Sequence, residues 1–200
     1  MSDPVSALGG ASFDGLIRIT EAGPRGMVTV RGDLASPKLE KAVFKATGCP
    51  MPARRGAVSE GEHGVCWMSP DELLLLVPHA QASAVVAALD TALKGEHALV
   101  VDVSDARASF VLDGTSGYVR ETLAKLTPAD MRTSALPVGA LRRTRLAQVP
   151  AAIYFTTDTR AEVICFRSVA AYVFGLLKTA AEPGSEVMFF SPILDFVLTS

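Results

Sequence analysis

The amino-acid sequence predicts an α+β fold with antiparallel sheets, built from a strand-helix-hairpin-helix unit used twice. Three observations point there. Apolar residues switch between short continuous or alternating runs and helical spacing, turn residues punctuate the runs, and the element order beyond residue 98 repeats the order before it.

Residues 1–14 are rich in Ser, Gly, Ala and Asp without periodicity, which predicts a flexible N-terminal arm, with order beginning near residue 15. After the apolar segment at residues 16–19, Met27-Val28-Thr29-Val30 reads as a strand ending in the Arg31-Gly32-Asp33 turn. A helix over residues 36–47 follows. Ser36 suits its N-cap, Pro37 its first position, Leu39 and Val43 share one face, and Gly48 can close it. Beyond a Pro- and Arg-containing loop, Val65-Cys66-Trp67-Met68, the turn Ser69-Pro70-Asp71 and residues 72–77 form a hairpin, its second strand apolar enough to be buried on both faces. Val85, Val86, Ala88, Leu89 and Leu93 then give a helix over residues 81–94 that stops at Gly95.

The second pass has the same order. A Val-rich strand at residues 98–102 ties the halves together, and residues 109–112 form a strand ending in the Asp113-Gly114 turn. A helix starts at Thr115 with Val119, Leu123 and Leu126 on one face; residues 146–156 and 162–166 make the hairpin, and residues 168–181 the closing helix. Gly32 matches Gly114 in place, and Asp71 matches Asp158. The expected division is therefore an arm (1–14), a first repeat half (15–97) and a second repeat half (98–200) within one compact domain.

Hydrophobic residues make up 49% of the 200, and the mean hydropathy of +0.31 asks where so much apolar surface goes. A membrane span needs roughly 20 consecutive apolar residues, whereas the purest run, residues 73–77, is closed by Pro78. The N-terminus has neither the basic region nor the apolar stretch of a secretory signal, so a cytoplasmic location is expected. Cys49, Cys66 and Cys165 lie far apart without a Cys-x-x-Cys pair, which fits reduced thiols rather than a disulfide framework or a metal site. A net charge of −2 with mixed signs supplies no field for nucleic acid.

Motifs that would carry chemistry are missing. There is no Gly-x-Gly-x-x-Gly, no Gly-Lys-Ser/Thr and no Gly-x-Ser-x-Gly, and His63, His79 and His97 never fall three or four residues apart, so no catalytic residue and no metal ligand is assigned. Asp33, Asp71 and Asp113 sit where carboxylates cap turns. One denser segment, with Asp102, Ser104, Asp105 and Arg107 together, is the candidate binding site; the same residues could instead fix the turn through an Arg107 ion pair or meet a partner. The closing helix carries Val169, Tyr172, Val173, Phe174, Leu176 and Leu177 without a charge, so it is either a central core element or the seat of another subunit. Those six, with the basic cluster Arg142, Arg143 and Arg145, are the interface candidates.

Five segments resemble the gamma subunit family of the heterotetrameric bacterial sarcosine oxidases. They are Trp67-Met68-Ser69-Pro70-Asp71-Glu72-Leu73-Leu74-Leu75, Val101-Asp102-Val103-Ser104-Asp105-Ala106-Arg107, Leu123-Ala124-Lys125-Leu126-Thr127-Pro128-Ala129-Asp130, Arg143-Thr144-Arg145-Leu146-Ala147-Gln148-Val149 and Phe166-Arg167-Ser168-Val169-Ala170. Order and spacing agree from about residue 25 to 182. The resemblance implies a complex of four different subunits that oxidatively demethylates sarcosine to glycine and passes the one-carbon unit to tetrahydrofolate. It implies alpha, beta and delta subunits as partners, with FAD, FMN, NAD and tetrahydrofolate on those other subunits, no cofactor on this chain, and a role here in assembly and support. It also implies a fold similar to the folate-binding domain of the glycine-cleavage aminomethyltransferases. The sequence departs from those enzymes in having no Met-x-Asp motif at the early strand, and it lacks the Lys-Gly-Cys-Tyr motif of the related iron-sulfur assembly proteins. A stand-alone tetrahydrofolate-binding module using the residue 102–107 segment is the alternative reading, and a triad assembled only in space is the third.

Overall fold

The computed structural model describes residues 4–190. In chain order, β1 (Ser12–Asp14) and β2 (Arg18–Glu21) come first, followed by β3 (Gly26–Arg31), α1 (Pro37–Thr47), β4 (Ala57–Glu60), β5 (His63–Ser69), β6 (Glu72–Val77), α2 (Ala82–Ala92) and β7 (Leu99–Asp102). Then come β8 (Arg107–Asp113), α3 (Ser116–Ala124), β9 (Leu141–Leu146), β10 (Val149–Thr157), β11 (Arg160–Phe166) and α4 (Ala170–Ala180). The chain divides into an inner unit, Pro24–Arg107, and an outer unit formed from Met1–Gly23 and Ala108–Ser200.

The inner unit is a five-stranded sheet in the order β4-β5-β6-β3-β7, with every neighbouring pair antiparallel. The β5–β6 hairpin sets Val65 opposite Leu75 and Trp67 opposite Leu73, as its sequence predicts. Every residue of β6 is buried, which is what an unbroken Leu-rich run requires of a strand. Val28, Val30, Leu73 and Leu75 point toward α1 and α2, which supply Leu39, Val43, Val85 and Leu89 to the same core. The Ser36 hydroxyl accepts the Leu39 amide at the start of α1, a cap worth about 1 kcal/mol. Gly48 ends that helix at φ 71°, the left-handed conformation that other residues adopt at a cost.

The outer unit is a six-stranded sheet in the order β1-β2-β8-β11-β10-β9. β2 pairs with β8 from Arg18 opposite Asp113 to Glu21 opposite Phe110, and β10 pairs with β11 through Ile153 and Val163. Ile19, Phe110, Leu112, Val119, Leu123, Phe155, Val173 and Leu177 are all buried in its core. Arg120 is buried with them, only 2% exposed, its guanidinium 4.0 Å over the Phe155 ring. Its Nη1 donates to the carbonyls of Met131 (2.8 Å) and Leu136 (3.1 Å), fixing the loop between α3 and β9. Burial pushes this guanidinium below its ordinary pKa, with the charge of Asp158 acting the other way.

The α+β class with antiparallel sheets is as the sequence predicts, but three expectations need correction. First, the proposed flexible arm, residues 1–14, is built into the outer unit wherever it is described; residues 1–3 lie outside the described residues. The buried Glu21 carboxylate accepts the amides of Leu8 (3.0 Å) and Gly10 (2.8 Å) and the Ser6 hydroxyl (2.8 Å), and β1 pairs with β2. Composition shows a polar arm but not the carboxylate that collects its amides. Second, the boundary between repeat halves at 97/98 does not divide the compact units. β7 pairs with β3, setting Val28 opposite Asp102, and so belongs to the inner unit, while β2 pairs with β8 and belongs to the outer one. Third, β1, β2, β4 and β9 are additional strands. β9 reads Leu-Arg-Arg-Thr-Arg-Leu, a charged edge strand that hydrophobic patterning passes over.

Substituting Glu21→Ala removes the acceptor of three hydrogen bonds. Amide hydrogen exchange should speed up at Leu8 and Gly10, with about 1–3 kcal/mol lost in denaturant titration; unchanged exchange there would show that other contacts hold the arm.

Candidate functional site

The first candidate segment joins β7 to β8 through a short 3-10 turn at Ser104–Ala106. One Asp102 carboxylate oxygen accepts the Ser104 amide (2.9 Å) and the Ser104 hydroxyl (2.5 Å), and that hydroxyl oxygen accepts the Met27 amide (3.0 Å). The structure thus brings Asp102 and Ser104 together as a strand-end cap, with their groups turned on one another. Asp105 is exposed on the turn, and Arg107 opens β8 half-buried.

The basic cluster is divided by strand geometry. Successive β9 side chains point to opposite faces, so Arg142 lies on one face and Arg143 and Arg145 on the other. Arg142 is held locally, its Nη2 donating to the Ala135 carbonyl (2.6 Å) and its Nη1 to that of Leu141 (3.3 Å), whereas Arg143 and Arg145 are exposed. Arg142 therefore does not share one patch with Arg143 and Arg145.

The closing helix is likewise not a uniform interface. Val173 and Leu177 are fully buried in the outer core, Phe174 stacks on Phe110 with ring centres 5.9 Å apart, and Val169 and Leu176 pack partly buried against the same cluster. The outward arc of α4 falls on Ala171, Gly175, Lys178 and Thr179, with Tyr172 the large exposed ring at 47%. Uncharged sequence therefore reflects small residues outside as well as apolar residues inside, and Val173 and Leu177 are removed from the interface set.

A feature absent from the sequence reading joins α3 to the residues after α4. Glu121 is buried in the middle of α3 and pairs with Lys125 one turn on (3.2 Å). The Glu121 carboxylate accepts the Val187 amide at 2.7 Å. Lys125 Nζ donates to the carbonyls of Ala180 (3.0 Å) and Ser185 (2.7 Å) and to the Ser185 hydroxyl. Burial pushes the Glu121 carboxyl up, but the Val187 and Met188 amides and the Lys125 ammonium outweigh it and hold it below its ordinary value. The signal available in sequence was two charges at i, i+4 beside a strongly apolar face.

Cys49, Cys66 and Cys165 are buried thiols, and burial raises the Cys49 pKa. Among the described residues no group of three or more His, Cys, Asp or Glu side chains is placed to hold a metal ion, and no helix is long and apolar enough to cross a membrane. An open groove of about 320 Å³ on α1 is lined by Pro37, Glu40, Lys41, Phe44, Pro50 and Met51, apolar apart from one acid and one base.

The family described as sarcosine oxidase, gamma subunit, matches residues 31–182. The chain belongs to that family. It is 32% identical over 119 residues to the sarcosine oxidase subunit gamma of Arthrobacter sp, a match covering 58% of this chain and 57% of the relative, and 31% identical to that of Corynebacterium sp. strain P-1 over the same shares. The alignment thus spans a little over half the length of the curated relatives. Among solved structures, a chain of the heterotetrameric sarcosine oxidase from Corynebacterium sp. U-96, in complex with pyrrole 2-carboxylate, superposes with a TM-score of 0.73 and 25% identity over 85% of this chain and 87% of that one. Aminomethyltransferase T of the glycine cleavage system from Bartonella henselae shares the fold at TM-score 0.57 and 15% identity, over 82% of this chain and 46% of that enzyme.

Two measurements check these assignments. Leu177→Ala should lower unfolding free energy by about 2–5 kcal/mol and Tyr172→Ala by under about 1 kcal/mol; equal losses would contradict the inward and outward faces given to α4. Because the folded Glu121 pKa is depressed, its contribution is present above the ordinary carboxylate value of about 4.3 and is lost as pH falls through the lower folded value. Protection of the Val187 amide should accordingly persist at pH 6 and disappear only in that acid window, and Glu121→Gln should weaken it already at neutral pH.

Proposed function

We propose that this chain is a non-catalytic gamma subunit of a cytoplasmic heterotetrameric sarcosine oxidase, assembling with alpha, beta and delta subunits and supporting the large subunits that bear the flavins. The reaction of that complex is the oxidative demethylation of sarcosine to glycine, with the one-carbon unit passed to tetrahydrofolate. FAD, FMN, NAD and the folate chemistry lie on the other subunits. The observation that carries this reading is the family match over residues 31–182, supported by the likeness to a chain of a heterotetrameric sarcosine oxidase. The polar segment at residues 102–107 adds to it, because Asp102 and Ser104 have a capping role that explains their presence without a substrate.

The fold shared with aminomethyltransferase T favours a second reading, a stand-alone tetrahydrofolate-binding module. It needs polar groups other than Asp102 and Ser104.

Co-expression with the three companion subunits tests the main proposal. The chain should co-purify in fixed stoichiometry, and the chain alone should not oxidise sarcosine; a chain that stays apart from all three at micromolar concentration would overturn it. Titration calorimetry with tetrahydrofolate addresses the second reading, for which heat of binding from the isolated folded chain is the required result.

A further inference from the structure

β7 closes the inner sheet on one side, so among the described residues only β3 neighbours it. Its ladder fixes which backbone groups are left over. The Val103 amide donates to the Met27 carbonyl at 2.8 Å, in the same register that sets Val101 opposite Thr29 and Leu99 opposite Arg31. Bonded and non-bonded pairs alternate along an antiparallel ladder, so Leu99 and Val101 bond to β3 while the amides and carbonyls of Val100 and Asp102 aim at the free edge.

That edge is apolar and rigidly held. Leu99 and Val101 are 55% and 38% exposed, whereas Val100 on the opposite face packs against the inner core. The strand end is tied down where the Ser104 hydroxyl, itself bonded to Asp102, accepts the Met27 amide. Edge strands are ordinarily guarded by charge, and β9 at the edge of the outer sheet has Arg143 and Arg145 exposed along it. β7 reads Leu-Val-Val-Asp and has no Lys, Arg or Pro. Four backbone groups presented in fixed positions between exposed apolar side chains match an added strand, and little ordering remains to oppose its binding.

We propose that β7 is a docking edge that accepts, by strand addition, an extended segment of another subunit of the hetero-oligomer, with apolar side chains beside Leu99 and Val101 and a Lys or Arg beside Asp102 and Asp105. This rests on the subunit role proposed above. Charge selects the partner. Residues 95–106 hold the acids Glu96, Asp102 and Asp105, all exposed, and no Lys or Arg; Lys38 reaches Glu96 from α1 at 3.6 Å. The two-fold pairing of β7 with a second copy that uses all four backbone groups sets Val100 opposite Asp102 and brings the Asp105 end of each copy toward Glu96 of the other. Acid then meets acid at both ends, whereas a basic-ended strand is complementary.

The test uses the full chain, alone and co-expressed with the companion subunits. Amide hydrogen exchange at Val100 and Asp102 should be fast in the chain alone and slow at least about tenfold in the complex, the change that new backbone bonds produce. L99K/V101K replaces two exposed side chains, so it should keep the wild-type circular dichroism spectrum and thermal midpoint while joining the complex about tenfold more weakly or worse. Asp105→Lys should weaken binding too, more so at low salt. An assembled complex in which Val100 and Asp102 exchange as fast as in the free chain, or a folded L99K/V101K variant of wild-type affinity, would overturn the docking edge and leave the subunit role standing. Failure of the wild-type chain to join the complex would overturn both. Protection of Val100 and Asp102 that grows with the concentration of the chain alone, and gains nothing in the complex, would put a second copy on the edge and so overturn the proposal as stated.

Discussion

The pairing of β2 with β8 is the constraint on which the outer unit depends. Four residue pairs join residues 18–21 to residues 110–113, and the whole inner unit lies between them in sequence. Such non-local pairing closes a long loop before it is rewarded by contacts, so both strands must bury enough to offset that entropy. Ile19, Phe110 and Leu112 do so, each fully inaccessible. The β8–α3 turn follows from the same pairing: a Cβ at Gly114 would lie 2.7 Å from Ile17, so this glycine is required by close approach rather than by its backbone angle. At the other end of β2, Glu21 collects the amides of residues 8 and 10, so the strand that closes the unit also anchors the arm.

α3 organises what surrounds it through two adjacent charged residues facing different ways. A buried guanidinium is costly to desolvate, and Arg120 offsets the cost with two carbonyl bonds and the Phe155 ring rather than with a carboxylate. Its Nε and Nη2 have no hydrogen-bond partner among the described residues. What it gains is a fixed path for the loop from Met131 to Leu136. Glu121 performs a similar task with opposite charge, receiving the Val187 amide and Lys125. The helix that sequence periodicity presents as a simple amphipathic element is thus the fastening point for a loop on one side and the residue 185–190 segment on the other.

These details bear on how a chain with 49% hydrophobic residues disposes of its apolar surface. Most of it enters two separate cores, each a sheet covered by a pair of helices. The remainder is not where composition suggested. α4 turns its large side chains inward and small ones outward apart from Tyr172, and the exposed large apolar side chains are spread over several elements, among them Phe44 on α1, Leu99 and Val101 on β7 and Phe166 at the end of β11.

The sequence by itself determined the elements with strong local signals. Ser36, Pro37 and Gly48 mark α1 because caps act within one turn, residues 72–77 mark a buried strand because they contain no polar face, and the five family segments mark the lineage. Outside the two hairpins, tertiary structure alone decided which strands pair, because register depends on faces brought together from distant positions. It therefore assigned β7 to the inner unit, recruited β1 and the arginine-bearing β9, and made the Asp102–Ser104 pair a cap. It also decided which charges are buried: Arg120, Glu121 and Glu21 look like ordinary surface residues in sequence, since the carbonyls and amides that satisfy them come from backbone far along the chain.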